Sequence, residues 1–203
     1  MENFYDYIEK GGIIFSILLV LSAVGLTLIT YKFIEINFFN DFDLQSFEED
    51  FSKSNTLNDF KRLVNLKPSS ERKIFLIETI NIMEKNSSKT WKDQEIETLI
   101  HKKYLKSQRF LPSLEIIAQV SPLIGLLGTV IGMIDSFNEL ELGGSLVDPS
   151  ILAGGIWTAL LTTAMGLIVA IPALVSHYFF EKKLTNSTQS SSVFLTKLMN
   201  RTN

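Results

Sequence analysis

The chain has 203 residues, 46% hydrophobic and 20% charged, with a formal net charge of -3 and no cysteine. The missing cysteines exclude disulfides, thiolate metal sites and a cysteine nucleophile, and the near-balanced charge gives no general attraction to nucleic acid. The apolar residues fall into three blocks separated by charge-rich stretches, a segregation foreign to an evenly mixed soluble enzyme.

Residues 1–12 form an acidic tail whose aromatics Phe4, Tyr5 and Tyr7 suit a membrane interface, and Gly11 and Gly12 are expected to break any helix there. Ile13 to Tyr31 follows with no ionisable side chain before its terminal Tyr. At ~1.5 Å per residue it is long enough to cross a hydrocarbon core of ~30 Å. A cleaved signal peptide is the competing reading. It fits poorly, because Glu2, Asp6 and Glu9 outweigh Lys10 and no small-residue cleavage site follows Thr30, so a retained span is expected.

Residues 32–112 are polar with helical periodicity. Leu57, Phe60 and Val64 mark one apolar face. Ile74, Ile77 and Ile80, or Leu76, Ile80 and Met83, mark a second, and Ile96, Leu99, Ile100 and Lys103 a third. Pro68 to Glu71 reads as a break and a new helix start, and Asn86 to Thr90 as a turn. A bundle of amphipathic helices is expected, extending the spans rather than forming a catalytic domain. Its last helix is expected to run into the second span, with Pro112 either kinking the junction or standing near a new helical start. The run Glu48, Glu49, Asp50 reads as a solvated helix start and not as a metal site.

The second span, residues 113–137, has no Asp, Glu, Lys, Arg or His between Ile116 and Ile134. Ser121, Gly125, Gly128 and Gly132 recur at steps of four, three and four, placing small side chains on one helical stripe, with Pro122, Thr129 and Ser136 beside it. After a link at 138–150 comes the third span, 151–180, charge-free from Pro149 to Ser176. It repeats the pattern with Gly155, Ala159, Thr162, Gly166, Ala170 and Ala173, and Thr158 and Thr163 flank the stripe. Pro172 frees the carbonyl of Ile168 and, like Pro122, is a candidate kink. Residues 181–203 read as a Ser-, Thr- and Asn-rich tail with a weak terminal helix around Val193, Phe194, Leu198 and Met199.

Basic residues orient the spans. Apart from Lys10, every Lys and Arg lies in Lys32–Arg109 or Lys182–Arg201, so those regions are expected in the cytoplasm, with the N-terminus and the 138–150 link outside. Sequons at Asn86 and Asn186 then face the cytoplasm and carry no weight. His101 and His177 read as surface or interfacial residues. Thr129, Thr158, Thr162 and Thr163 admit two readings: hydroxyls bonded back to their own helices within plain helix packing, or the lining of a polar lumen.

Two segments resemble a known family. Ile117-Ala118 followed by Ser-Pro-Leu-Ile-Gly-Leu-Leu-Gly-Thr-Val-Ile-Gly-Met (Ser121 to Met133), and Leu-Ala-Gly-Gly-Ile-Trp-Thr-Ala-Leu-Leu-Thr-Thr-Ala-Met-Gly-Leu-Ile-Val-Ala-Ile-Pro-Ala (Leu152 to Ala173), are similar to the MotA/TolQ/ExbB proton channel family, nearest to its ExbB and TolQ branch. The resemblance implies an all-α polytopic membrane protein of the inner membrane, with three transmembrane helices and a cytoplasmic helical extension. It implies a homopentamer around single-span partners of the ExbD or TolR type. An Asp on that partner would take the proton, with Thr129 and Thr163 matching the pore threonines. Thr158 stands where the branch often has Glu. A TonB-like protein is a further candidate partner, and no catalytic residue, metal or cofactor is implied. An ExbB-like role energising outer-membrane transport is the first expectation. A TolQ-like envelope role, a gliding motor and a non-conducting scaffold are the alternatives. Flagellar stators of the MotA type usually carry a fourth span, which this chain lacks.

Overall fold

The computed structural model describes residues 2–38, 44–54, 56–143 and 149–201. Among them every regular element is a helix: α1 Glu2–Phe38, α2 Gln45–Lys53, α3 Leu57–Leu66, α4 Glu71–Glu84, α5 Lys89–Ser107, α6 Leu111–Gly143 and α7 Pro149–Arg201. Three stretches are long and apolar enough to cross a bilayer: Gly12–Ile36, Leu111–Leu142 and Leu152–Asn200. The chain divides into two compact units, Met1–Tyr31 with Phe110–Tyr178, and Lys32–Arg109 with Phe179–Asn203.

In the first unit, α1 is two helices joined at Gly12, whose φ of 59° and ψ of -152° are non-helical. A residue with a Cβ resists that conformation, which is why the break falls on glycine. Phe110 also has a positive φ, 71°, and its carbonyl accepts from the Leu114 N–H at 3.2 Å, opening α6. Its ring meets Tyr31 edge-on at 5.4 Å, one of the contacts that hold this uncommon backbone in place. The last helix before the second span therefore stops at Ser107. Pro112 sits in the first turn of α6, where its missing N–H leaves no carbonyl unpaired. α6 continues to Gly143 and α7 begins at Pro149, so both ends of the expected 138–150 link are helical, and residues 144–148 lie outside the described residues.

The second unit is held by capped helices around an aromatic core. Thr56, Ser70 and Ser88 accept from the N–H groups of Asp59, Lys73 and Trp91, which starts α3, α4 and α5 where the polar punctuation predicts. Phe60, Val64, Leu76, Ile80 and Ile96 are buried together, whereas Ile74 is exposed, so α4 buries its Leu76–Ile80–Met83 face. The weak terminal helix expected in the tail is part of a longer element. Residues 181–201 continue α7 without interruption, and Phe194, Leu195 and Leu198 enter the core. Phe194 lies 5.7 Å from the Phe51 ring and 6.3 Å from Phe60. Burial of these three side chains outweighs the weak helix propensity of the Ser- and Thr-rich run before them.

Lys32, in the same unit, is 1% exposed. Its ammonium donates to Glu35 Oε2 at 2.8 Å and to the Ser107 carbonyl at 2.6 Å, which satisfies a charge that burial would otherwise penalise.

Candidate functional site

The small-residue stripes of α6 and α7 face each other in antiparallel register. A Cβ at Gly132 would lie 3.2 Å from the Ala159 Cβ, one at Gly125 2.8 Å from the Thr162 carbonyl oxygen, and one at Gly166 2.7 Å from the Ser121 carbonyl oxygen. Gly155 sits against Ser136 and Gly128 against the Thr162 side chain. Ala159, Ala170 and Ala173 are buried along the same seam. Without a hydrophobic effect between helices in lipid, such backbone proximity is what dispersion attraction requires. Pro122 and Pro172 lie inside the helices, and neither ends its helix.

Helix α1 packs against one flank of this hairpin. Leu21 and Leu28 join Ile117, Ala118, Val169 and Ala173, and Gly25 lies against the Ile117 side chain.

The four threonines separate by position. Thr162 is 3% exposed within the seam, donating to Ala159 O at 2.7 Å and Gly125 O at 3.2 Å. Thr163, partly exposed, donates across to the same Gly125 carbonyl at 3.2 Å. Thr129 lies one turn beyond Gly125, partly exposed, and donates to Leu126 O at 2.7 Å. At ~100° per residue, Thr129 and Thr163 emerge on the same flank of the antiparallel pair, opposite to Ile117 and Val169 where α1 packs. Thr158 does not join them. It stands about 140° round α7 from Thr163 and within about 20° of Val169, and it donates to Gly154 O at 3.0 Å. The four hydroxyls of the sequence reading thus resolve into one seam residue, one pair on the flank away from α1, and one residue on the flank toward it.

The Thr129–Thr163 flank carries a second polar level that the sequence reading passed over. Glu115 Oε2 lies 3.9 Å from His177 Nε2, and Gln119 donates to Glu115 Oε1 at 3.1 Å. His177 was legible only as an interfacial residue, because nothing local marks a partner on another helix. The available signal was the matched offset, since Glu115 precedes Thr129 by as many residues as His177 follows Thr163.

Comparison with known proteins identifies the relatives of this chain. The putative biopolymer transport protein ExbB-like 1 of Synechocystis sp. is 44% identical over 82 residues, 39% of this chain and 32% of that protein. The Tol-Pal system protein TolQ of Haemophilus influenzae is 39% identical over 85 residues, 42% of this chain and 33% of that protein. In both, the match spans about a third of the relative's length. The putative biopolymer transport protein ExbB-like 1 of Helicobacter pylori is 26% identical over 186 residues, 91% of this chain and 90% of that protein. The profile of the MotA/TolQ/ExbB proton channel family matches residues 67–192, from the end of α3 through most of α7. With spans charge-free through their middles, a glycine seam between them and a profile covering well over half of its length, the chain belongs to the MotA/TolQ/ExbB proton channel family, in its ExbB- and TolQ-like branch.

Proposed function

We propose that the chain is the sleeve of an inner-membrane proton-driven motor, with its N-terminus in the periplasm and its C-terminus in the cytoplasm. Five copies surround single-span partners of the ExbD or TolR type, and the assembly energises outer-membrane transport through a TonB-like protein. The observation that carries the reading is the placement of Thr129 and Thr163 on one flank of spans whose middles are charge-free, away from α1. In five copies that flank would line the lumen.

Hydroxyls do not titrate near neutral pH, so at the Thr129–Thr163 level the proton-binding group must come from the partner, as an Asp in its span. Thr163 suits both states of that carboxyl. While its proton is held by the Gly125 carbonyl, its lone pairs accept from the neutral acid; turned outward, it donates to the carboxylate. Burial favours the neutral acid and donors favour the ion, so moving the carboxyl from one environment to the other couples proton release to motion. Each charge crossing 100 mV supplies about 2.3 kcal/mol, enough to bias a two-state step.

Thr163→Val keeps the volume of the side chain and removes its donor. The variant, co-reconstituted with the partner in proteoliposomes, is expected to assemble normally and lose proton flux. Full flux would overturn the reading. A non-conducting scaffold is the second reading, favoured by the fact that Thr129, Thr158, Thr162 and Thr163 all donate within the chain already. It predicts that the variant leaves every transport readout unchanged.

A further inference from the structure

Two polar levels share the flank of the α6–α7 hairpin that α1 leaves open. Thr129 and Thr163 form the first, and Glu115 with His177 the second. Along either helix the levels are about 21 Å apart and within about 40° of the same direction. Gln119 stands one turn inside Glu115 and donates to its Oε1, which leaves Oε2 turned toward His177 Nε2 at 3.9 Å. That separation is ion-pair range and slightly long for a direct hydrogen bond. His177 is mostly covered and Glu115 half-exposed, so the imidazole is fixed while the carboxylate keeps access to water.

Few other charges compete. α1, packed on the opposite flank, carries no ionisable side chain from Ile13 to Thr30, and Tyr31, Lys32 and Glu35 follow at its end. On α7 the nearest are Tyr178, the next residue, and Glu181, one turn beyond His177. Between the two levels neither α6 nor α7 has another acid or base.

Resting on the channel reading above, we propose that Glu115 and His177 form the inner proton-transfer station of this flank, receiving protons that have passed the Thr129–Thr163 level. A proton leaves the partner's carboxyl group, which becomes a carboxylate, and travels as hydrated proton along the lumen. The neutral imidazole of His177 takes it at Nε2 and becomes imidazolium, held by the Glu115 carboxylate. Cytoplasmic water then removes it, restoring the neutral imidazole. Histidine suits this task because an imidazole can both accept and release a proton at a ring nitrogen.

The test uses the full chain with its partner in proteoliposomes, with proton flux followed as pH is varied on the His177 side. The parent complex is expected to show a pH-dependent transition in flux. His177→Gln is expected to abolish that transition and slow flux on the order of tenfold. Glu115→Gln, which removes the counter-ion, is expected to shift that transition. A His177→Gln complex with parental rate and pH profile overturns the proposal. If that complex does not assemble, Glu115→Gln decides, and an unmoved transition is the overturning result. Thr163→Val separates the two ideas: if it stops flux while both inner variants behave as parent, only the station fails, and if it leaves flux intact, the channel reading fails with it.

Discussion

At the scale of single residues, the seam between α6 and α7 has almost no slack. A methyl at Gly166 would meet the Ser121 carbonyl at 2.7 Å and the Gly125 Cα at 3.2 Å, and backbone atoms cannot swing aside as a flexible side chain would. Gly166→Ala is expected to destabilise the detergent-solubilised protein by roughly 1–3 kcal/mol, seen as a lower unfolding temperature. Gly154→Ala is the matched control on the same helix. Nothing lies within 4 Å of its added Cβ, so relief of glycine's backbone entropy is expected to leave stability equal or up to about 1 kcal/mol higher. The stripe was legible because steps of three and four among small residues admit one helical arrangement. The partition of the threonines was not, since Thr162 and Thr163 are adjacent in sequence and only the partner helix decides which is enclosed. Lys32 was equally opaque. A lysine at a span end reads as one reaching for headgroups, and its buried contact with the Ser107 carbonyl joins residues 75 positions apart.

Among elements, α4 and α5 are tied by charge as well as by packing. Glu71, in the first turn of α4, accepts from Lys103 Nζ at 2.6 Å and has Lys106 at 3.7 Å. The hydrogen bond and positive charge of Lys103 hold its carboxyl below the ordinary value of 4.5. A carboxylate with a lowered folded pKa contributes stability above its unfolded value and loses it as pH falls through the folded one. Glu71→Gln is therefore expected to cost about 0.2–1 kcal/mol at pH 7, a small amount because Glu71 is half-exposed. The gap between variant and parent in thermal unfolding is expected to close as pH falls below 4.5. The starts of these helices were readable in the sequence because Ser and Thr caps are local chemistry. The length of α7 was not: Ser190, Ser191 and Ser192 resemble a loop until Ser191 is found buried beside Phe194 and Leu195.

For the whole molecule, the last turns of α7 belong to the core of the second unit. Phe194→Ala is expected to cost about 3–5 kcal/mol through the cavity left beside Phe51 and Phe60, measurable as loss of the folded fraction in limited proteolysis. A parental protease pattern would show that the terminal helix contributes nothing. Three apolar blocks and their order were visible from hydropathy alone, whereas this docking depends on side chains more than a hundred residues apart. The absence of acids and bases from the middle of every span has a consequence for biogenesis. A copy inserted by itself brings no titratable group into the middle of the hydrocarbon, so it is expected to leave the bilayer electrically sealed. Overproduction of the chain alone is then expected to add no proton leak, which dissipation of a pH gradient in vesicles would measure.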